Sequence, residues 1–301
     1  MNAYTIREIE TISGIKAHTL RVWEQRYSFF KLMRTKTNKR TFTDIELKKI
    51  LNIKQLIQYG YKLAHLNKMT ADEIELKVVE TSSSNLELNL NYSLNKLLLY
   101  TIELRIIDFE NLVSKLILEK GIDKTYVEIL IPYFNKIGIL WQTNKLSIAT
   151  EHIFSNIIRN KLIHCIENIK KQKQQPSNIK IAFFLPSNEI HEIGLLFCYY
   201  LATKEGLETF YLGSDMPIKE AISFCKNNKI CHLVTFINTN SCQSKIEKSS
   251  SVLKDELKES ILYINGNIEM LKLKMISNNN IQFITNINQL RFVINKLTYS
   301  I

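Results

Sequence analysis

Cysteine is scarce and scattered in this 301-residue chain: Cys165, Cys198, Cys225, Cys231 and Cys242, with no Cys-x-x-Cys pair. An odd, unpaired set argues against a disulfide framework or a structural zinc site and fits a reducing cytoplasm. No apolar run reaches membrane-spanning length, and the N-terminus lacks the basic head and apolar stretch of a signal peptide. A soluble, cytoplasmic protein is therefore expected. Acidic residues are short in one place only. Residues 1–70 hold 14 Lys and Arg against 5 Asp and Glu, whereas the rest of the chain is close to balance, 26 against 24. That asymmetry excludes a uniformly basic coat for nucleic acid and suits a basic module on a nearly neutral body.

The basic module has a pattern of its own. Thr5 and Glu8 form a Thr-x-x-Glu capping box, which satisfies orphan amide donors and opens a short helix with Ile6 and Ile9 inward. Ser13-Gly14 breaks it. From Lys16 to Tyr27 a second helix carries Leu20, Trp23 and Tyr27 on one face and leaves His18, Arg21, Gln25 and Arg26 mostly outside. A helix-turn-helix needs this arrangement, because its second helix must enter the major groove with polar side chains forward. Residues 34–40, RTKTNKR, read as a basic hairpin turning near Asn38. Thr43 and Glu46 box the start of a further helix ending at Tyr59-Gly60, and Thr70 and Glu73 do the same for a short helix pair between Leu63 and about Glu80.

Residues 86–170 contain one proline, Pro132, and two glycines, Gly121 and Gly138. Their apolar residues recur at helical spacing, including Leu97, Leu98, Phe109, Leu116, Ile129, Ile148, Ile153, Ile157 and Ile158. Four antiparallel helices breaking near Arg105, Gly121 and Thr143 are expected. The polar stretch 81–85 reads as a first linker and KKQKQQPSN, 170–178, as a second. Beyond it the period changes. KIAFFL, ETFYLG, HLVTFI, SILYIN and IQFIT are short buried strands, separated by helices at 190–204, 217–227, 244–258 and 267–274 and followed by one at 286–298. Strands alternating with helices predict an open parallel sheet, with its ligand site outside the carboxyl ends of the strands.

Directly after the first of these strands stands Ser187-Asn-Glu-Ile-His191-Glu-Ile-Gly194. A loop histidine at the ligand edge, with a carboxylate two residues earlier, suits a metal ligand whose second ring nitrogen is held by that carboxylate. Gly194 leaves room for close approach of a bulky ligand.

YTIREIETISGIKAHTLRVWEQRY, followed by RTKTNKRTF, resembles the start of MerR-family transcriptional regulators. Leu32 stands where that family usually has a proline before the wing. The resemblance implies a winged head over 1–75 that binds double-stranded DNA as a dimer on a palindromic site. His18 and Arg21 would then reach base edges, with Arg26 beside them, and Arg34, Lys36, Lys39 and Arg40 would hold phosphates.

Glu189-x-His191-x-x-Gly194 resembles the signature of cobalamin-binding domains in light-sensing regulators of the CarH/LitR type. This implies a flavodoxin-like (Rossmann-like) α/β domain over 179–301, with His191 as lower ligand to cobalt. Gly213 and Asp215 lie in a segment, Tyr211–Pro217, similar to the family's next loop, and Gly266 stands in its nucleotide-tail pocket. Trp141, followed after nine residues by Glu151-His152, resembles the four-helix cap over 86–170 that packs the upper ligand of cobalt. The implied protein is an oligomer, dimer or tetramer. Its DNA affinity is controlled by adenosylcobalamin or methylcobalamin held between cap and α/β domain, a photoreceptor-like arrangement.

Three departures stand out. Ile237 or Asn238 replaces the small Ser or Thr usual after the third strand, with Thr235 and Thr239 alongside. Asn265-Gly266 replaces a Gly-Gly pair. Gln142 replaces the histidine that follows the tryptophan in light-sensing members. The first two narrow the tail pocket, so a regulator that has lost the cofactor and answers another ligand or partner stands as the alternative. An enzyme is disfavoured, because no catalytic barrel accompanies the cap and sheet.

Overall fold

The computed structural model describes residues 2–27, 29, 32–34, 40–81, 86–172, 177–237, 260–266 and 280–299. The described chain packs into two compact units, Met1–Ile157 and Ile158–Ile301.

In the first unit, α1 (Ile6–Ser13) starts at the expected Thr5–Glu8 box and ends on Gly14, whose φ of +70° is a left-handed cap. Capping of this kind stabilises a helix end by about 1 kcal/mol. The positive φ is what calls for glycine there, and a Cβ would lie 3.2 Å from the Lys54 ammonium. α2 (Ala17–Arg26) buries Leu20 and Trp23. β1 (Met33–Arg34) pairs antiparallel with β2 (Arg40–Thr41), giving the base of the expected hairpin; its tip, 35–39, lies outside the described residues. Next come α3 (Asp44–Gln58), boxed by Thr43 and Glu46, then α4 (Leu63–Leu66) and α5 (Ala71–Thr81).

The bundle follows as α6 (Leu86–Ile102), α7 (Ile106–Thr125), a π turn at Tyr126–Leu130, α8 (Ile131–Gln142) and α9 (Ile148–Gln172). All three expected breaks occur. Gly121 lies at φ +76°, ψ 158°, and kinks α7 without ending it. Phe109 is the hub of the core, edge-on to Phe154 at 4.7 Å and 5.4 Å from Tyr133, whose hydroxyl bonds Thr101 at 2.8 Å. The stripe on α9 differs from the expected one. Phe154, Ile158, Leu162 and Ile166 are buried, whereas Ile148 and Ile153 are exposed. So many apolar residues lie on this helix that spacing alone left its phase open.

The contact boundary falls inside α9, between Ile157 and Ile158, and the helix runs on through Gln172 into the stretch expected as a linker. The first linker, 82–85, lies outside the described residues.

The second unit holds β3 (Lys180–Pro186), α10 (Ile193–Lys204), β4 (Glu208–Met216), α11 (Ile218–Asn227), β5 (His232–Ile237), β6 (Ile261–Gly266), β7 (Ile281–Ile284) and α12 (Ile287–Tyr299). The five strands pair in parallel in the order β4-β3-β5-β6-β7. Alternate residues face opposite layers. Ala182, Phe184, Leu233 and Ile237 pack with Ala221, Ile222 and Cys225 of α11, whereas Phe183 meets Tyr199 of α10 on the other face. The doubly covered parallel sheet explains the near-continuous apolar strands. The helices expected at 244–258 and 267–274 lie outside the described residues. Strand order reverses at β3, which places the loop after β3 where ligands bind in such sheets.

Candidate nucleic-acid interface and sensor site

The head exposes the polar side of α2. His18, Arg21, Gln25 and Arg26 are exposed on the side away from Leu20 and Trp23. Arg34 sits opposite Arg40 in the wing register, and Lys36 and Lys39 belong to the tip outside the described residues. Arg40 differs from a simple phosphate anchor: its Nε donates to Glu24 on α2, and both side chains are mostly buried. The ion pair fastens the wing to α2 and leaves the terminal guanidinium nitrogens as the part able to reach a backbone phosphate.

The loop after β3 is organised around one carboxylate. Glu189 is fully buried, and its Oε1 accepts from His191 Nδ1 at 2.6 Å and from the His191 amide at 3.0 Å. With its proton on Nδ1, the imidazole carries its lone pair on Nε2, on a side chain that is 64% exposed. Asp215 holds the loop from behind. Its Oδ1 accepts from the Asn188 amide at 2.7 Å, and its own amide donates to the Glu189 carbonyl at 3.3 Å. The segment expected as a loop after the second strand is strand through Met216, with register breaks on either side of the Phe184–Gly213 pair. Gly213 and Asp215 therefore shape the loop from an irregular strand end, at φ of +88° and +56°.

Glu192 was not singled out from sequence, although a carboxylate next to the histidine was a signal. It accepts from Tyr211 Oη at 2.7 Å and from Arg159 Nε of α9, so the start of α10 is tied to β4 and to the long helix. Burial, followed by the hydrogen bond to Glu192, raises the Tyr211 hydroxyl far above its ordinary value and keeps it a donor.

Gly194 lies against an aromatic ring. A Cβ there would come within 2.9 Å of the Phe236 ring, so the missing side chain is filled by an aromatic from β5. Beside it in sequence, Thr235 buries a hydroxyl that has no hydrogen-bond partner among the described residues. Gly266 pairs with Ile237 at the ends of β6 and β5.

In the bundle, Trp141 is 47% exposed at the end of α8. With Gln142, Asn144, Lys145, Leu146, Ser147, Ile148 and the head's Asn2 it lines an open basin of about 670 Å³. Glu151 bonds Ser155, and its other oxygen lies 3.4 Å from Nε2 of the exposed His152.

Residues 4–73 match the family described as MerR HTH family regulatory protein, and residues 94–166 match the B12 binding domain. The chain joins a MerR-type head to a B12-binding domain. It is homologous to two repressors of Myxococcus xanthus. It is 21% identical to the HTH-type transcriptional repressor CarH over 221 residues, 72% of this chain and 73% of that one. It is 25% identical to the repressor CarA over 214 residues, 70% and 68% of the two chains. Among solved structures, the monomethylamine corrinoid protein of Methanosarcina barkeri is similar at a TM-score of 0.55 and 14% identity, covering 67% of this chain and 96% of that one. That likeness concerns the fold.

The donor set of the MerR–B12 chain fits a corrinoid on its lower side. Among the described residues no cluster of three or more His, Cys, Asp or Glu side chains could hold a bare metal ion. A macrocycle that brings its own nitrogen donors would ask the protein for a single further one, and the Glu189-backed His191 is a side chain that could offer it. No described helix is long and apolar enough to cross a membrane.

Proposed function

We propose that this chain is a DNA-binding transcriptional regulator, not an enzyme, whose oligomeric state and DNA affinity answer to a bound cobalamin. The observation that carries the reading is the fully buried Glu189 fixing His191 at the strand-order reversal, the loop geometry an axial ligand requires. In this reading Asp215 and Gly213 hold the loop, and Trp141, Glu151 and His152 of the bundle face the upper ligand. When bound, the cofactor supplies a cobalt centre with a carbon ligand, which light or metabolism can alter. A change there would bias which oligomer forms, and so how many heads meet a palindromic operator together.

In the head, His18, Arg21 and Arg26 are the base-edge and groove residues, and Arg34, Lys36, Lys39 and Arg40 the phosphate contacts. Equilibrium dialysis of wild type and His191→Ala against adenosylcobalamin in the dark tests the sensor half. Retention by the wild type, lost in the variant, is the expected result.

A second reading has one observation in its favour. The Phe236 ring already occupies the space beside Gly194. A wild type that retains no corrinoid moves the function to a regulator of the same architecture whose α/β unit answers a different ligand or a protein partner.

A further inference from the structure

The C-terminal end of α1, the first helix of the DNA-binding head, receives two half-buried lysine amines. Lys54 of α3 donates to the Ser13 carbonyl at 2.6 Å, and Lys136 of the bundle helix α8 donates to the Ile12 carbonyl. Both acceptors lie in the last turn of a helix, where unpaired carbonyls need donors, and an amine donates N–H whether or not it is charged. The other end of α1 is held from the same part of the bundle. Lys145, just past α8, lies 4.0 Å from Glu8 and 6.0 Å from the centre of the Tyr4 ring.

Trp141 stands between these two lysines in sequence, and its basin is walled on the far side by Asn2. Asn2 is fixed to the head, because its amide and its side chain both donate to Asp44 at the start of α3, at 3.0 and 3.1 Å.

We infer that Lys136 and Lys145 are positioning residues for DNA recognition: they grip α1 at its two ends and couple the recognition helix to the bundle surface that bears Trp141. The inference uses the head's role in binding DNA and does not depend on which ligand the sensor takes. Any occupant that moves the Trp141 end of α8 moves the grip on α1, against which α2 is packed.

The grip has a sign that can be tested. Burial first, and the neighbouring Lys54 charge second, bring Lys136 down to about 8. Lys54 is itself lowered by burial. Once the head leaves, Lys136 regains water and an ordinary value near 10.4. The docked state thus binds the Lys136 proton more weakly than the undocked state. Docking is therefore weakest below pH 8, where Lys136 is charged in both states, and strengthens as pH rises from 8 toward 10.

The experiment uses the full chain with Ile δ1-methyl labelling, comparing relaxation of Ile9 and Ile12 in the head with Ile129 and Ile137 in the bundle. In the wild type the two sets should converge as pH rises from 7 to 9.5. In Lys136→Met they should show no pH trend. Lys145→Met should keep the trend with a looser head at every pH, and should shift operator affinity by about 5-fold or more. Thermal melts establish that each variant folds. If Lys136→Met does not fold, the wild-type trend and Lys145→Met decide. A wild type without a pH trend overturns the inference, and so does a trend that survives Lys136→Met or an operator affinity indifferent to Lys145→Met.

Discussion

Two histidine–carboxylate pairs in this chain are built in opposite ways. At the sheet edge, Glu189 is fully buried and reaches His191 Nδ1 at 2.6 Å, while the backbone of the same loop is tied to Asp215. On the bundle, Glu151 and His152 are neighbours on one helix, 3.4 Å apart, and the histidine side chain is 55% exposed. The first geometry fixes a tautomer and aims a lone pair. The second leaves a side chain able to adapt to whatever lies against it.

The largest effect that would break this contrast is expected at Glu189. In Glu189→Ala the Nδ1 proton loses its acceptor, so neither the tautomer nor the ring orientation that leaves Nε2 free is held. Supporting residues of this kind cost about 10- to 100-fold in metal affinity when lost. Titration of corrinoid into the variant, followed by its absorbance, should show a loss in that range.

Next in size is Phe236→Ala. Truncating a half-buried ring costs less than the ~3–5 kcal/mol of a fully buried one and opens the space beside Gly194. Retention should rise if the ring competes with the cofactor, and chemical denaturation should report the stability loss. Unchanged retention would show that the ring and the cofactor do not share that space.

The smallest effect is expected on the bundle side. Glu151→Gln should alter stability by less than ~1 kcal/mol, the value of an exposed ion pair. Its influence, if any, should appear in discrimination between adenosylcobalamin and methylcobalamin.

The contrast also marks how far the sequence could be read. The Glu189–His191 hydrogen bond was legible in Glu189-x-His191-x-x-Gly194, because its spacing is local and its loop follows a strand that period and turn residues define well. The same locality made the three capping boxes and the five strands legible. Gly194 was recognised as a residue that must lack a side chain, but its neighbour Phe236 comes from a strand distant in sequence. Arg40 was read as a phosphate contact of the wing, and nothing local announces its pairing with Glu24. On α9, apolar residues around most of the helix left the phase undecided, and the helix crosses from one packed unit to the other with no proline or glycine to mark the place. Nothing local in the sequence singles out Lys54 or Lys136. Their role appears only when three helices meet at the end of α1.

The most direct test of the central claim is electron paramagnetic resonance of cob(II)alamin added to the protein, prepared with natural-abundance and with 15N-labelled histidine. An axial 14N splits the cobalt lines into triplets and an axial 15N into doublets. The account predicts that histidine labelling converts triplets to doublets in the wild type and changes nothing in His191→Ala. Triplets that persist in the labelled wild type would contradict it, since the axial nitrogen would then be the cofactor's own base.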